Sequence, residues 1–352
     1  MSVSDGRTQC AHRKETAIPS RDIMIRLLAC CGVMLVVGLA LCVGRYPLSP
    51  LRVLTALVDM AHPGPARDGV AQAVVFQARL PRILAGLLVG GALSCGGATY
   101  QAVLRNPLVS PGLLGVLSGA AFGAALSIVM GAPPLLVQLG AFAGGLMAVG
   151  CGMAVARMLP QGGLLVLVLG GLIGNAIFTA LLSLVKYLAD PMDQLPAIVN
   201  WLLGSLAQSN WQELGWLSGP LVVLTLVLIL CAPLLDVLSL DDDEARSLGV
   251  PVHVLRPGMI VLATLVSAMT ISMAGIIGWV GLLVPHVARR LVGAEHRVMM
   301  PICALTGAAG LVLADTCARS LTPGEVPLGI VTELFGALAF ILVLRRLRGD
   351  MT

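Results

Sequence analysis

Charge is what this chain has least of. Only 11% of its 352 residues are Asp, Glu, Lys or Arg, where a soluble domain carries roughly 25%, so an ordinary water-soluble domain is excluded. Lysine is reduced to Lys14 and Lys186, neither preceded by glycine. A phosphate-binding loop needs a Gly-Lys pair to hold the nucleotide phosphates, so the chain is not an ATPase of that kind. The nine cysteines never form a C-x-x-C pair, and Cys30, Cys31, Cys95, Cys151, Cys231 and Cys303 lie in apolar runs; this excludes a zinc ribbon or disulfide framework and leaves small core residues. No H-E-x-x-H occurs, and His12, His62, His253, His286 and His296 are scattered, so no metal centre is expected. Ser118 lacks the spacing of a nucleophile elbow. Aromatics are scarce, and the net charge of +4 is too diffuse for a nucleic-acid partner.

What remains is apolar: 57% hydrophobic residues and a mean hydropathy of +0.95. Runs near 18 residues recur, which defines an all-α, polytopic membrane protein. Ten spans are predicted over residues 27–44, 83–104, 111–130, 134–156, 163–188, 214–235, 254–273, 276–291, 299–318 and 327–344. Residues 1–26 carry charges of both signs, and no small-residue cleavage site follows, so they read as a cytoplasmic tail before one transmembrane domain over 27–348. An even span count puts both termini on one side. With that side inside, only Arg45, Arg52, Arg67, Arg79, Arg82, Lys186 and Arg319 of the 22 Lys and Arg are outside, as the positive-inside rule favours. Segment 190–211, with Trp201 and Trp211, reads as a short interfacial helix. Glycines such as Gly86, Gly90, Gly96, Gly97, Gly170, Gly171 and Gly174 give spans two and five faces for close helix contact.

The densest charge lies in residues 238–251, Leu-Ser-Leu-Asp-Asp-Asp-Glu-Ala-Arg-Ser-Leu-Gly-Val-Pro. Asp241, Asp242 and Asp243 supply an N-cap and negative charge for one helical turn over 244–248, which Gly249 and Pro251 end. So short a helix needs a docking surface; the alternative is a solvated loop that only fixes topology. Arg79 and Arg82 bracket Leu80-Pro81 at the outer edge of span two, either as an anionic docking surface or as interfacial snorkelling.

Taken in order, Arg79-Leu-Pro-Arg82, residues 101–112 (Gln-Ala-Val-Leu-Arg-Asn-Pro-Leu-Val-Ser-Pro-Gly), 238–249, 275–286 (Gly-Ile-Ile-Gly-Trp-Val-Gly-Leu-Leu-Val-Pro-His), 293–297, Ala314-Asp315 with Ala318-Arg319, and 325–332 resemble the permease subunits of bacterial ABC importers for ferric siderophores, haem and vitamin B12, the type II importers. The likeness covers residues 79–348. It implies a homodimer of ten-helix subunits in the bacterial inner membrane, with the translocation path on the two-fold axis, two cytoplasmic ATPase subunits that hold ATP and Mg, and a periplasmic substrate-binding protein. No cofactor is implied for this chain, which is a pore subunit and not an enzyme. By the same resemblance Asp242, Asp243, Glu244, Ala245, Arg246, Leu248 and Gly249 couple to the ATPase. Arg79, Arg82 and Arg319 dock the binding protein, and Asn106 and Leu108 match a cytoplasmic gate.

The chain departs from that family's pattern at Asp241, usually glycine, at Leu338, usually proline, and at residues 161–164, where the vitamin B12 permease has a Ser/Thr segment. Gly278-Trp279-Val280-Gly281 looks most like iron-chelate permeases. The expected cargo is therefore a ferric siderophore or haem; the alternatives are vitamin B12 or an oxyanion, or an ion-gradient transporter, for which paired intramembrane carboxylates and inverted repeats are missing. Glu333 stands where the family usually has a small residue, six residues or about 9 Å into span ten from Pro327. A charge there avoids lipid. Gly329, Gly336, Ala337 and Phe340 share its face, which leaves two readings: Glu333 lines the path, or it is protonated and hydrogen-bonded between helices.

Overall fold

The computed structural model describes residues 20–61, 68–158, 163–322 and 324–349, and among them there is helix and no strand. The order is α1 (Ser20–Cys42), α2 (Pro50–Ala61), α3 (Gly69–Ala73), a π-helical stretch Val74–Arg79, α4 (Leu80–Val103), a 3-10 turn Pro111–Leu114, α5 (Val116–Val129), α6 (Pro134–Met158) and α7 (Leu164–Leu188). Then come α8 (Gln194–Leu202), α9 (Trp211–Leu230), α10 (Ala232–Leu238), α11 (Asp242–Ser247), α12 (Val252–Ala274), α13 (Val280–Val292), α14 (His296–Leu321) and α15 (Leu328–Gly349).

Nine of the ten predicted spans fall on helices among the described residues. Seven of the described helices are long and apolar enough to cross a membrane, with Val116–Val129 and Leu328–Leu342 as shorter apolar helices. The remaining one, predicted over 276–291, is corrected: residues 275–279 are not helical and α13 has only 13 residues. Gly275 at φ 69° and Trp279 at φ 64° break the α-helical path there. Between the first two predicted spans lie α2 and α3, and the π-helical stretch runs from α3 directly into α4. Segment 190–211 holds the short helix α8, as its tryptophans suggested. The N-terminal boundary at 26/27 falls inside α1, and residues 1–19 and 159–162 lie outside the described residues.

The bundle is built around α4. In its apolar window 83% of residues are buried, against 6% in α1. It is packed by α14, α12, α13 and α9, while α5, α6 and α7 form a second group beside α12. Small residues make this possible. A Cβ on Gly97 would lie 1.8 Å from the Gly281 carbonyl oxygen, and one on Gly90 2.3 Å from that of Gly307, so the helices meet backbone to backbone. Cys95 and Cys303 are buried small residues in this contact, whereas Cys30 and Cys31 are exposed on α1.

Candidate functional site

At one end of the bundle the 238–251 segment hangs outside the spans. Its helix is α11, six residues from Asp242, starting two residues earlier than the 244–248 expected. Asp241 occupies the N-cap position but makes no capping hydrogen bond; its carboxylate receives Arg105 Nη1 at 3.1 Å instead. Arg105 also pairs with Asp242. From α12, Arg256 Nη1 reaches Asp242 at 2.9 Å, and both guanidinium groups donate to the Leu238 carbonyl at 3.4 Å. Partial burial pushes the Asp242 carboxyl up, but Arg256 and Arg105 outweigh it and hold it below the ordinary carboxylate range. Ala245 is fully buried beneath the turn. Gly249 ends it at φ 78°, a left-handed conformation suited to glycine. One face of α11 is thus pinned by Asp242 and Ala245, while Asp243, Glu244, Arg246, Ser247 and Leu248 are exposed. Just upstream, Asp236 accepts from the His296 backbone N–H at 2.9 Å and meets its Nδ1 at 2.6 Å, tying α10 to the start of α14.

Sequence reasoning missed Arg105, Arg256, Asp236 and His296. For Arg105, its φ of 49° and its partner 136 residues away have no local signature. Beside it, Asn106 Oδ1 accepts from the Leu108 N–H at 2.9 Å and leaves Leu108 57% exposed at the same end. Gln101 links this end of α4 to α13, donating to the Leu282 carbonyl at 3.2 Å and accepting from Arg289 at 3.1 Å.

At the opposite end the three arginines expected at an exposed rim are instead buried, with 4% of Arg79, 9% of Arg82 and 6% of Arg319 accessible. Arg82 forks onto Asp315 at 2.8 to 2.9 Å and onto Glu325 at 3.0 Å. Arg79 donates to the Leu41 and Tyr46 carbonyls, and Arg319 to the Ala40 carbonyl. Ala40 and Leu41 lie in the last turn of α1, where carbonyls lack helical partners, so two guanidinium groups cap that helix, one from the π-helical stretch and one from α14. In this chain the three guanidinium groups are therefore held inside the bundle end and not presented on its surface. Beside this cluster is a cavity of about 530 Å³ lined by Gln138, Asn200, Ser205, Gln208, Glu213 and Glu325, in which Gln138 donates to Glu213 at 3.0 Å. No group of three metal-ligating side chains occurs among the described residues.

Glu333 is exposed on α15 with Leu334, Phe335 and Leu338. Its Cγ lies 3.2 Å from where a Cβ on Gly278 would be. Below it Trp279 packs on Phe340, ring centroids 5.5 Å apart.

A many-helix bundle with one short acidic helix suspended outside it, and no nucleotide-binding loop, has the architecture of a transport permease. Residues 32–346 match the FecCD transport family, and the chain belongs to that family. It is 40% identical over 314 residues to the molybdate import system permease protein MolB of Haemophilus influenzae, covering 89% of this chain and 93% of that one. It is 39% identical over 277 residues to the hemin transport system permease protein HmuU of Yersinia pestis, covering 77% and 82%. A solved structure described as an inward-facing conformation of a metal-chelate type ABC transporter superposes with a TM-score of 0.82 at 37% identity, over 92% of this chain and 99% of that one. The chain is therefore a multi-pass membrane protein and an ABC importer permease.

Proposed function

We propose that this permease works as a homodimer in the bacterial inner membrane, with both termini cytoplasmic, and imports a metal chelate, a ferric siderophore or haem. Two ATPase subunits dock on the exposed face of α11, and a periplasmic binding protein docks at the opposite end. There Arg79, Arg82 and Arg319 shape the surface from beneath. Asn106 and Leu108 form the cytoplasmic gate, and Glu333 lines the path between the two copies. The observation that carries this reading is α11 itself: a turn too short to stand alone, clamped by arginines from two different spans, with Glu244 and Leu248 free to enter a partner. A load on that face pulls directly on α4 and α12.

The molybdate permease relative supports a second cargo, an oxyanion. The test is reconstitution of the permease with its ATPase and binding protein in proteoliposomes. Uptake of a ferric trihydroxamate, haem and molybdate is measured with ATP and ion gradients varied separately. ATP-dependent uptake of an iron chelate is expected; uptake that follows an ion gradient without ATP would overturn the importer reading, and ATP-driven molybdate uptake alone would replace the cargo.

A further inference from the structure

Two features that are costly inside a bilayer lie side by side here. The first is Glu333, which is exposed and makes no hydrogen bond or ion pair among the described residues. The second is the non-helical segment 275–279, in which Ile276, Gly278 and Trp279 are only partly buried. No hydrogen bond among the described residues reaches the carbonyls of Gly275, Ile276 or Ile277, and none is donated by the backbone N–H groups of Ile276, Ile277, Gly278 or Trp279. Their depth follows from α4. Gly281, two residues past Trp279, packs on Gly97, which is 15 residues or about 22 Å along the helix from Arg82 and about 12 Å from Arg105. Glu333, against Gly278, is thus well inside the bundle rather than at a rim. An ionisable side chain at such depth faces a water-filled cavity or a protein partner, and irregular backbone is tolerated only where it is buried in protein or lines a water-filled cavity. Both features point to the same water-lined passage.

The charge at this place is negative: Glu333 carries a carboxylate, and no Lys or Arg lies between Arg319 and Arg345 on the approach to α15 or along its apolar length. We infer that Glu333 sets a negative potential in the translocation path and so disfavours small oxyanions such as molybdate. This rests on the proposal that α15 borders the path, where two-fold symmetry doubles the charge. Glu333 acts as a specificity-determining residue, with Gly278 keeping its seat open.

The test reads the potential directly and needs no knowledge of the cargo. Ile330 is exposed one turn before Glu333 on the same helix. In the reconstituted complex, Ile330→Cys is modified with a cationic trimethylammonium thiosulfonate and with an anionic sulfonate analogue, and modification at that position is read by peptide mass spectrometry. The cationic-to-anionic rate ratio is expected to fall at least fivefold when Glu333→Gln is added and to be kept by Glu333→Asp. An unchanged ratio with Glu333→Gln overturns the inference, as does a cysteine reached by neither reagent until detergent is added, which places it against lipid. ATP-driven uptake by wild-type vesicles is scored in parallel. Missing uptake with an intact charge ratio sinks the transport reading, whereas normal uptake with no ratio change sinks only the role of Glu333.

Discussion

Arg82→Ala should cost the permease its stability before it costs any association. The Arg82 side chain is 10% exposed and that of Asp315 3%, so removing the guanidinium strands a carboxylate where water cannot reach it. Breaking one partner of a buried pair costs about 3–5 kcal/mol. Asp315→Ala should cost less, because Arg82 still holds Glu325 at 3.0 Å. Replacing both, Arg82→Met with Asp315→Leu, removes the two desolvated charges together and should recover most of the loss; Glu325 is then left with Arg45 at 3.8 Å and is itself 28% exposed. The assay is denaturant unfolding of the purified permease in detergent at low and high salt. Surface charge is screened beyond about 10 Å at 0.1 M salt, whereas this loss should hold at both. A stable Arg82→Ala protein whose only defect is slow, salt-sensitive capture of its binding protein would refute the reasoning and restore an exposed docking role.

Three further outcomes follow from the geometry. Glu244→Ala and Leu248→Ala, on the free face of α11, should lower transport at least tenfold while the complex assembles and its ATPase still turns over; normal coupling ratios in both would remove α11 from the mechanism. Asp242 has its folded pKa depressed, so its contribution is fully present above the unfolded value of about 3.9 and is lost only as pH falls through the lower folded value. Coupling should accordingly be insensitive to Asp242 titration at neutral and mildly acidic pH, and Asp242→Asn should lower the coupling ratio throughout that range; an Asp242→Asn variant indistinguishable from wild type would show the clamp to be idle. Gly97→Ala puts a methyl against the Gly281 carbonyl at 1.8 Å, an overpacking of about 1–3 kcal/mol that should appear as a lower melting temperature, and an unshifted melt would mean that α4 and α13 separate freely.

The spans were legible because hydropathy reports burial in lipid and needs no tertiary information. The acidic turn was legible for the same local reason: three aspartates, then Gly249. What the chain does not spell out is pairing across distance. Arg79, Arg82 and Arg319 read as surface charge, since a sequence gives no sign that Asp315 and Glu325 converge on Arg82 or that α1 ends beneath two guanidinium groups. The same holds for Arg105 and Arg256, whose common partner Asp242 is supplied by the fold. The eighth span was misread because Gly-Ile-Ile-Gly-Trp-Val is apolar enough to extend a helix, while Trp279 takes a left-handed conformation that only its packing on Phe340 and Gly336 reveals.

The clamp and the arginine cluster are joined by a single helix. Arg82 anchors one end of α4 and Gln101 the other, with Arg105 immediately beyond, so 24 residues rising about 36 Å connect the surface proposed for the binding protein to the one proposed for the ATPase. Between them Gly90 meets Gly307 and Gly97 meets Gly281 at backbone contact, and close-packed interiors respond by shifting whole elements rather than by bending. Force on α11 should therefore move α4, α12 and α14 as one body against α15, whose exposed face carries Glu333. Hydrogen exchange during ATP turnover tests this: amides from Gly90 to Gly97 should stay as protected as in the resting complex, while residues 275–279 and the start of α15 exchange faster. Loss of protection in the middle of α4 would mean that the helix flexes there, and the two ends would then be coupled by some other route.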